Sequence, residues 1–268
     1  YAVAQAGIVR LLVVGLILAG GFTLIPNGAV VAGMSLVWGV IAEAVTVTYL
    51  ARKLGATKLP ETISTLELPQ NLAGVWKFYA PLGGTMMLVW GARAALVGVV
   101  ARANDGEIAL AAWPAAWGLV LVIANSTRMV QQIIIRNRKL LPDQLLIIFA
   151  MTVGIVCSLI LLLVSGTPMS EQAIGWFIGN DKELISRVRP VLLICAVMPL
   201  FVSVQNAVQG FLVSEGRTWC VNHAAWVGAT VMLGTAYLGV KFGQNGAIAA
   251  AIGMIIGGIM EIGYLFYS

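Results

Sequence analysis

GAIAAAIGMIIGGIME, residues Gly246–Glu261, decides the fold of this chain, because an earlier stretch repeats it. Residues Gly28–Glu43 read GAVVAGMSLVWGVIAE, and the two segments align at an offset of 218 positions, from 28 to 246. Each predicts an apolar helix of small residues that carries one deep carboxylate and is followed by an aromatic residue, Tyr49 or Tyr264. We interpret the two as copies of an internal repeat. Further matches in the same register are Asn27 with Asn245, Ala29 with Ala247, Ala32 with Ala250 and Gly39 with Gly257.

The composition is that of a membrane protein. The 268 residues are 60% hydrophobic and 10% charged, with a mean hydropathy of +0.94, whereas a soluble domain is about 25% charged. The net charge of +5 does not indicate nucleic-acid binding, because the basic residues lie between apolar runs. Lone cysteines and the single His223 have no metal-ligand spacing. The lipid bilayer is therefore the expected partner, and neither a metal nor a cofactor is expected.

Eight apolar runs are each close to the roughly 20 residues that a bilayer requires. They do not alternate between apolar and polar residues as the strands of a membrane barrel do, and a helix satisfies its own backbone in lipid. The sequence therefore predicts an all-α, polytopic membrane protein with eight transmembrane helices. The predicted spans are Ile8–Leu24, Gly28–Leu50, Tyr79–Ala101, Ala109–Val130, Leu145–Val164, Val191–Val213, Ala224–Val240 and Ala247–Phe266.

Lysine and arginine predict the orientation, since loops rich in these residues stay on the cytoplasmic side. Nine lie on the side that we predict to be cytoplasmic, namely Arg52, Lys53, Lys58, Lys77, Arg128, Arg136, Arg138, Lys139 and Arg217. Five lie on the other side, namely Arg102, Lys182, Arg187, Arg189 and Lys241. The C-terminus is then cytoplasmic, and we expect an integral protein of the plasma (inner) membrane. The polar stretch 51–78, with Pro60 and Pro69, is predicted to be a cytoplasmic linker between the first two spans and the last six.

A family resemblance starts from Phe78-Tyr79-Ala80-Pro81-Leu82, followed by Arg93, Arg102 and Asp105-Gly106. With the final Gly246–Glu261 helix, it resembles the progressive ankylosis protein family of the multidrug/oligosaccharidyl-lipid/polysaccharide (MOP) flippase superfamily. In that family an aromatic-rich x-Pro-Leu opens the seventh helix, with one arginine in the helix and a second at its end. The tract Met198-Pro199 … Gln209-Gly210 … Glu215-Gly216-Arg217-Thr218 resembles the tenth helix of multidrug and toxin extrusion proteins.

The resemblance implies two six-helix lobes around a central cavity. The eight spans would be helices five to twelve, and the first four helices would be missing. Residues 1–50 would then be the last two helices of a truncated N-terminal lobe, and residues 79–268 a complete six-helix C-terminal lobe. The resemblance also implies the export of small anions such as pyrophosphate, citrate or nucleotide.

Arg93 is the first candidate for a substrate-binding residue. It lies near the middle of a predicted span, where a charge costs about 2.5–3.5 kcal/mol on insertion scales. Guanidinium pairs well with phosphate or carboxylate, so Arg93 fits an anion site. The alternative is a structural pair with Glu43 or Glu261, or a side chain that reaches toward the membrane surface. Arg102, at the end of the same span, is a second cavity candidate or an interface anchor.

Glu43 and Glu261 are candidates for binding a coupling ion, a proton or sodium, or for a structural role shared by the two copies. Gln205, Asn206 and Gln209 form a polar cluster that lines a cavity or joins helices. Gln205 and Gln209 are four residues apart and share one helix face. Pro199 is expected to kink this helix and to act as a hinge.

The function predicted from these features is secondary transport of small anions by alternating access. A lipid-linked oligosaccharide flippase and a cation-coupled multidrug extruder remain alternatives, and so does a membrane scaffold that transports nothing. The sequence has no phosphate-binding GxxxxGK[ST] loop and no Ser/His/Asp constellation, so an enzyme is not expected.

Overall fold

The computed structural model describes residues 2–24, 27–53, 72–167 and 170–268, and helix is the regular secondary structure in all of these ranges. The predicted all-α fold is therefore confirmed for the described part of the chain. The chain divides into two compact units, Tyr1–Leu68 and Pro69–Ser268.

The first unit is a pair of helices, α1 (Ala2–Leu24) and α2 (Gly28–Lys53). Small residues bring the two helices close together. A Cβ atom added to Gly21 on α1 would lie 2.6 Å from Cγ1 of Val31 on α2, and one added to Gly39 on α2 would lie 2.6 Å from Cγ2 of Val14. Apolar attraction does not drive helices together in lipid, so contacts of this kind stabilise the pair through close packing.

The second unit contains the other nine α-helices of the described ranges. They are α3 (Leu72–Val100), α4 (Gly106–Ala124), α5 (Met129–Asn137), α6 (Asp143–Gly166), α7 (Ser170–Ile178), α8 (Lys182–Cys195), α9 (Met198–Ser214), α10 (Thr218–Lys241) and α11 (Gly246–Tyr267). A short 3-10 turn, Asn125–Arg128, joins α4 to α5. Helices α3, α4, α8 and α11 contribute to the largest cluster of buried side chains, which includes Leu96, Trp113, Val191 and Ala250.

Six helices in the described residues are long and apolar enough to cross a membrane, and a seventh span forms if α8 and α9 cross together. The six are Ala4–Gly21, Val30–Lys53, Leu72–Val100, Gly106–Asn137, Asp143–Gly166 and Gly246–Tyr267. On α6, apolar side chains such as Ile148 and Leu163 are each 62% exposed, as expected of a lipid-facing surface. The seventh predicted span, Ala224–Val240, lies in α10, which has 24 residues but is not among the six.

The predicted linker 51–78 is bordered by helix on both sides. Helix α2 continues to Lys53 and α3 begins at Leu72, while residues 54–71 lie outside the described ranges. Helix α3 therefore begins before Pro81, which the family resemblance would place at the start of a helix. The carbonyl oxygen of Pro81 accepts hydrogen bonds from Thr85 Oγ1 at 2.8 Å and from Asn222 Nδ2 of α10 at 3.1 Å. Bonds from such side chains help a membrane helix to tolerate an internal proline.

Two close contacts within the pair α10–α11 correspond to contacts within the pair α1–α2, at the offset of 218 found in the sequence. A Cβ atom on Gly239 would lie 3.0 Å from Cβ of Ala249, which corresponds to the contact between Gly21 and Val31. A Cβ atom on Gly257 would lie 2.7 Å from Cβ of Met232, which corresponds to the contact between Gly39 and Val14. The sequence repeat covers one helix, whereas the repeated contacts extend to a two-helix unit.

The start of α11 is fixed by hydrogen bonds from its first residues. Asn245 caps α11, because its Oδ1 accepts from the backbone N–H groups of Ala247 and Ile248 at 3.0 and 3.2 Å. Asp105, in the turn after α3, accepts from Asn245 Nδ2 and from the backbone N–H of Gly246. The Asp105-Gly106 motif thus ties the end of α3 to the beginning of α11.

We predict that Gly257→Ala destabilises the protein and that the neighbouring Gly258→Ala does not. A Cβ atom at residue 257 would lie 2.7 Å from the backbone oxygen of Gly228, whereas one at residue 258 meets nothing within 4 Å. Overpacking of this kind costs about 1–3 kcal/mol, and alanine otherwise favours a helix over glycine by about 1 kcal/mol. Thermal unfolding in detergent measures both effects. Equal melting temperatures for the two variants would show that the backbone contact contributes nothing.

Candidate functional site

A cavity of about 100 Å³ lies within the second unit, among α3, α4, α9, α10 and α11. Most of its wall is apolar and comes from small or flexible side chains, including Val89, Ala92, Met198, Val202, Ala225, Ala229, Met232 and Met254. Three lining residues are polar or charged: Arg93 on α3, Gln205 on α9 and Glu261 on α11. The cavity therefore combines one positive and one negative group in an apolar surrounding, where charges interact more strongly than in water.

Glu261 is buried, with 9% of its surface exposed, and two amides of α9 hold one of its oxygens. Its Oε1 accepts from Gln205 Nε2 at 2.5 Å and from Gln209 Nε2 at 3.2 Å. The prediction that these two glutamines share one helix face is confirmed by this common acceptor. Oε2 has no hydrogen-bond donor among the described residues and lies beside Gly228 of α10, where an added Cβ atom would be 2.8 Å away. One carboxylate oxygen is thus fixed and the other is available.

Arg93 lies against two indole rings. Its Cζ is 5.3 Å from the ring centroid of Trp90 and 5.4 Å from that of Trp117, distances at which a cation is attracted to an aromatic face. Its Nη1 is buried and finds no hydrogen-bond acceptor in the described part of the chain. A buried donor without an acceptor costs free energy, so this nitrogen favours an acceptor that enters from outside.

The opposite charges of Arg93 and Glu261 act on one another, but no ion pair joins them in the described ranges. Arg128, in the 3-10 turn after α4, adds a second positive charge whose field reaches Arg93. Arg93 and Glu261 are the charged residues among those that line the cavity. The unpaired Nη1 of Arg93 favours a ligand that carries at least one anionic group.

A second cavity, of about 170 Å³, adjoins the first. Its wall is largely apolar and includes Trp90, Trp113 and Trp117. Trp113 and Trp117 are stacked, with ring centroids 5.7 Å apart. Arg93, Trp117 and Met254 line both cavities, so these residues lie between the first cavity, here called the charged chamber, and the more apolar second one.

Glu43, the counterpart of Glu261 in the first copy, has a different environment. Its Oε2 accepts from Arg10 Nη1 of α1 at 2.9 Å in a direct salt bridge. At the offset of 218, Arg10 corresponds to Gly228. The first copy thus contains its own guanidinium beside the carboxylate, and the second copy has a glycine in that place.

Three of the predicted cavity residues, Asn206, Gln209 and Arg102, are not among the residues that line either cavity. Asn206 donates from Nδ2 to the backbone oxygen of Thr127 at 3.3 Å, which joins α9 to the 3-10 turn. Arg102 is exposed in the turn that follows α3. The structure therefore brings Arg93, Gln205 and Glu261 together at one cavity. Gln209 contributes only through its hydrogen bond to Glu261.

Pro199 lies in the first turn of α9, directly after a break in the helix. Helices α8 and α9 meet there at an angle of 40°. At the start of α9 the N–H of Leu200 donates both to the backbone oxygen of Val197 at 3.2 Å and to Ser158 Oγ of α6 at 3.1 Å. The predicted kink is thus a break between two helices. Gln205 and Gln209 lie in the helix that begins just after the break.

The sequence reasoning missed three contributors to this site. Trp90 precedes Arg93 by three residues, and this helical spacing was available as a signal for a contact on the same face. Trp117 and Gly228 come from distant parts of the sequence. The role of Gly228 emerges only when the repeat is extended from α11 to α10, where an arginine in one copy faces a glycine in the other.

A comparison with protein-family models, curated proteins and solved structures found no significant match. The cavity and its residues therefore carry the functional argument.

We predict that Gln205→Leu destabilises the wild-type protein by about 1.5–3 kcal/mol, the contribution of a hydrogen bond to a charged group. The loss should be clearly smaller in a Glu261→Gln background, because the negative acceptor is then absent. A double-mutant cycle from unfolding in detergent measures this coupling. Gln132→Leu, at an exposed position of α5, is the control. Equal losses in both backgrounds would show that the bond to Glu261 does not stabilise the fold.

Proposed function

We propose that the protein is a secondary transporter that moves small organic or phosphate-containing anions across a membrane by alternating access. The observation that carries the proposal is Arg93, which lines a cavity between helices and whose buried Nη1 has no acceptor in the described ranges. A charge inside a membrane protein is costly unless it has a partner or a functional role. An anionic substrate would provide the missing acceptor.

The chemistry of arginine supports this choice of substrate. Its planar guanidinium stays charged and binds carboxylate or phosphate through two parallel hydrogen bonds. The faces of Trp90 and Trp117 hold the group by cation–π attraction and leave its edge for a ligand. The positive field of Arg128 adds to the attraction for an anion.

The size of the cavity supports a small solute. Pockets for drug-sized ligands have volumes of about 300–1,000 Å³, whereas the charged chamber has about 100 Å³. This difference argues against a multidrug extruder and a lipid-linked oligosaccharide flippase. One observation favours the extruder as the second candidate, because the carboxylate of Glu261 in the same chamber is a partner for a cationic drug.

Alternating access is supported by the repeat and by the break between α8 and α9. Many secondary transporters consist of repeated helical units that move against each other around a site near the middle of the membrane. Two corresponding contacts in α1–α2 and α10–α11 fit such a design, and the proposal retains the expectation of eight spans in two lobes of the MOP flippase type. The excess of basic residues on one side supports a cytoplasmic C-terminus in the plasma membrane.

The proposal predicts that Arg93→Gln abolishes anion uptake. Proteoliposomes that contain the natural full-length protein should take up labelled citrate, pyrophosphate or ATP, and the variant should lose at least about tenfold in uptake, because a charge-assisted pair contributes 1.5 kcal/mol or more. Arg102→Gln is the matched control, since it removes the same charge from an exposed turn.

Three results would contradict the proposal. Unchanged anion uptake in Arg93→Gln would show that Arg93 does not bind the transported anion. Uptake of cationic drugs in place of anions, lost in Glu261→Gln, would establish the extruder. Absence of flux for anions, drugs and lipid-linked sugars would favour a scaffold that does not transport.

A further inference from the structure

Among the described residues, Oε2 of Glu261 lacks a donor that its counterpart in the first copy possesses. In the first copy the donor is Arg10, whose Nη1 donates to Glu43 Oε2 at 2.9 Å. In the second copy the corresponding residue is Gly228, which has no side chain and lines the cavity. The first unit thus shows that a guanidinium group can bind the carboxylate at this position of the repeat.

The hydrogen bonds of Glu261 indicate which kind of cation fits there. Gln205 and Gln209 both direct their amide N–H groups to Oε1. Oε2 accepts no hydrogen bond in the described ranges, and a carboxylate oxygen accepts strongly from the N–H groups of a cation. The remaining oxygen therefore suits an ammonium or guanidinium group, as it does in the pair of Arg10 and Glu43.

We propose that the cavity binds a small zwitterion, with the anionic group at Arg93 and a primary ammonium or guanidinium group at Glu261. The inference rests on the proposed function, because it uses the anion site at Arg93, and it narrows the substrate class. Both charges line one cavity of about 100 Å³ without forming an ion pair in the described ranges. An amino acid or a phosphate ester of an amino alcohol carries both groups within a few bonds, so one molecule satisfies both.

This assignment explains why the two charges lie in one cavity. A zwitterion neutralises Arg93 and Glu261 together, whereas a simple anion satisfies Arg93 and remains near the carboxylate. Charges of like sign at short range disfavour binding most strongly in an apolar surrounding. The site therefore discriminates against anions that lack the cationic group.

Matched probes test the proposal by direct binding to the purified protein in detergent. Alanine and propionate differ only by the ammonium group, as do phosphoethanolamine and ethyl phosphate, and ethylamine is alanine without its carboxylate. We expect alanine or phosphoethanolamine to bind at least about tenfold more tightly than its ammonium-free partner, because a hydrogen bond to a charged group contributes that much. Isothermal titration measures the five affinities.

Two variants locate the ammonium site. Glu261→Gln keeps the shape of the side chain and should abolish the preference for the zwitterion without weakening the anion. Gly228→Ala adds a methyl group 2.8 Å from Oε2 and should reduce the same preference while the carboxylate is kept. Gly234→Ala, where an added Cβ meets nothing within 4 Å on the same helix, is the control, and thermal unfolding reports whether each variant is folded.

The outcomes separate this inference from the proposed function. Equal binding of each matched pair, lost in Arg93→Gln, would overturn the zwitterion and keep the anion site. Binding of ethylamine as tight as that of alanine and independent of Arg93 would overturn it as well, and so would a sodium or proton dependence that Glu261→Gln removes while the preference persists. Binding of neither carboxylate nor phosphate would overturn both proposals.

Discussion

The close approach of α10 and α11 at Gly228 and Gly257 is the constraint on which the candidate site depends. A Cβ atom at Gly257 would lie 2.7 Å from the backbone oxygen of Gly228, so the two backbones are in direct contact. In lipid, such packing replaces the hydrophobic effect as the source of helix association. The contact sets Glu261, one turn beyond Gly257, against α10 and within reach of the glutamines of α9. Without it, the carboxylate would have neither its amide donors nor the cavity beside it.

The two copies of the repeat solve the same electrostatic problem in different ways. A carboxylate within an apolar helix pair has a large desolvation cost. The first copy offsets this cost with a salt bridge between Glu43 and Arg10. The second copy divides the compensation between two amides and the nearby charge of Arg93, which belongs to a different helix. In the second copy, Nη1 of Arg93 therefore has no acceptor and Oε2 of Glu261 has no donor among the described residues. Groups with unmet hydrogen bonds of this kind can bind a ligand.

Much of the helical organisation was accessible from the sequence, because apolar runs of membrane length leave few alternatives. The shared face of Gln205 and Gln209 was also accessible, since it depends only on helical spacing. From the sequence, Arg93 could have a structural partner in either Glu43 or Glu261. Only the packing of the helices shows that Arg93 and Glu261 line the same cavity. Helix packing also separated Asn206 from its neighbours on α9, because its side chain meets the backbone of Thr127 instead of the cavity. The number of spans is the least determined feature, because α10 carries polar residues such as Asn222, which bonds to α3.

Gly228 also restricts which substitutions can be made at this contact between α10 and α11. In the first copy, Arg10 and Glu43 form a salt bridge. Replacing either residue by an uncharged one would leave the other charge without its partner. In the second copy, any side chain at residue 228 would come too close to Glu261, so an arginine there requires Glu261 to move. Building at residues 228 and 261 the salt bridge that residues 10 and 43 form therefore takes more than a single substitution.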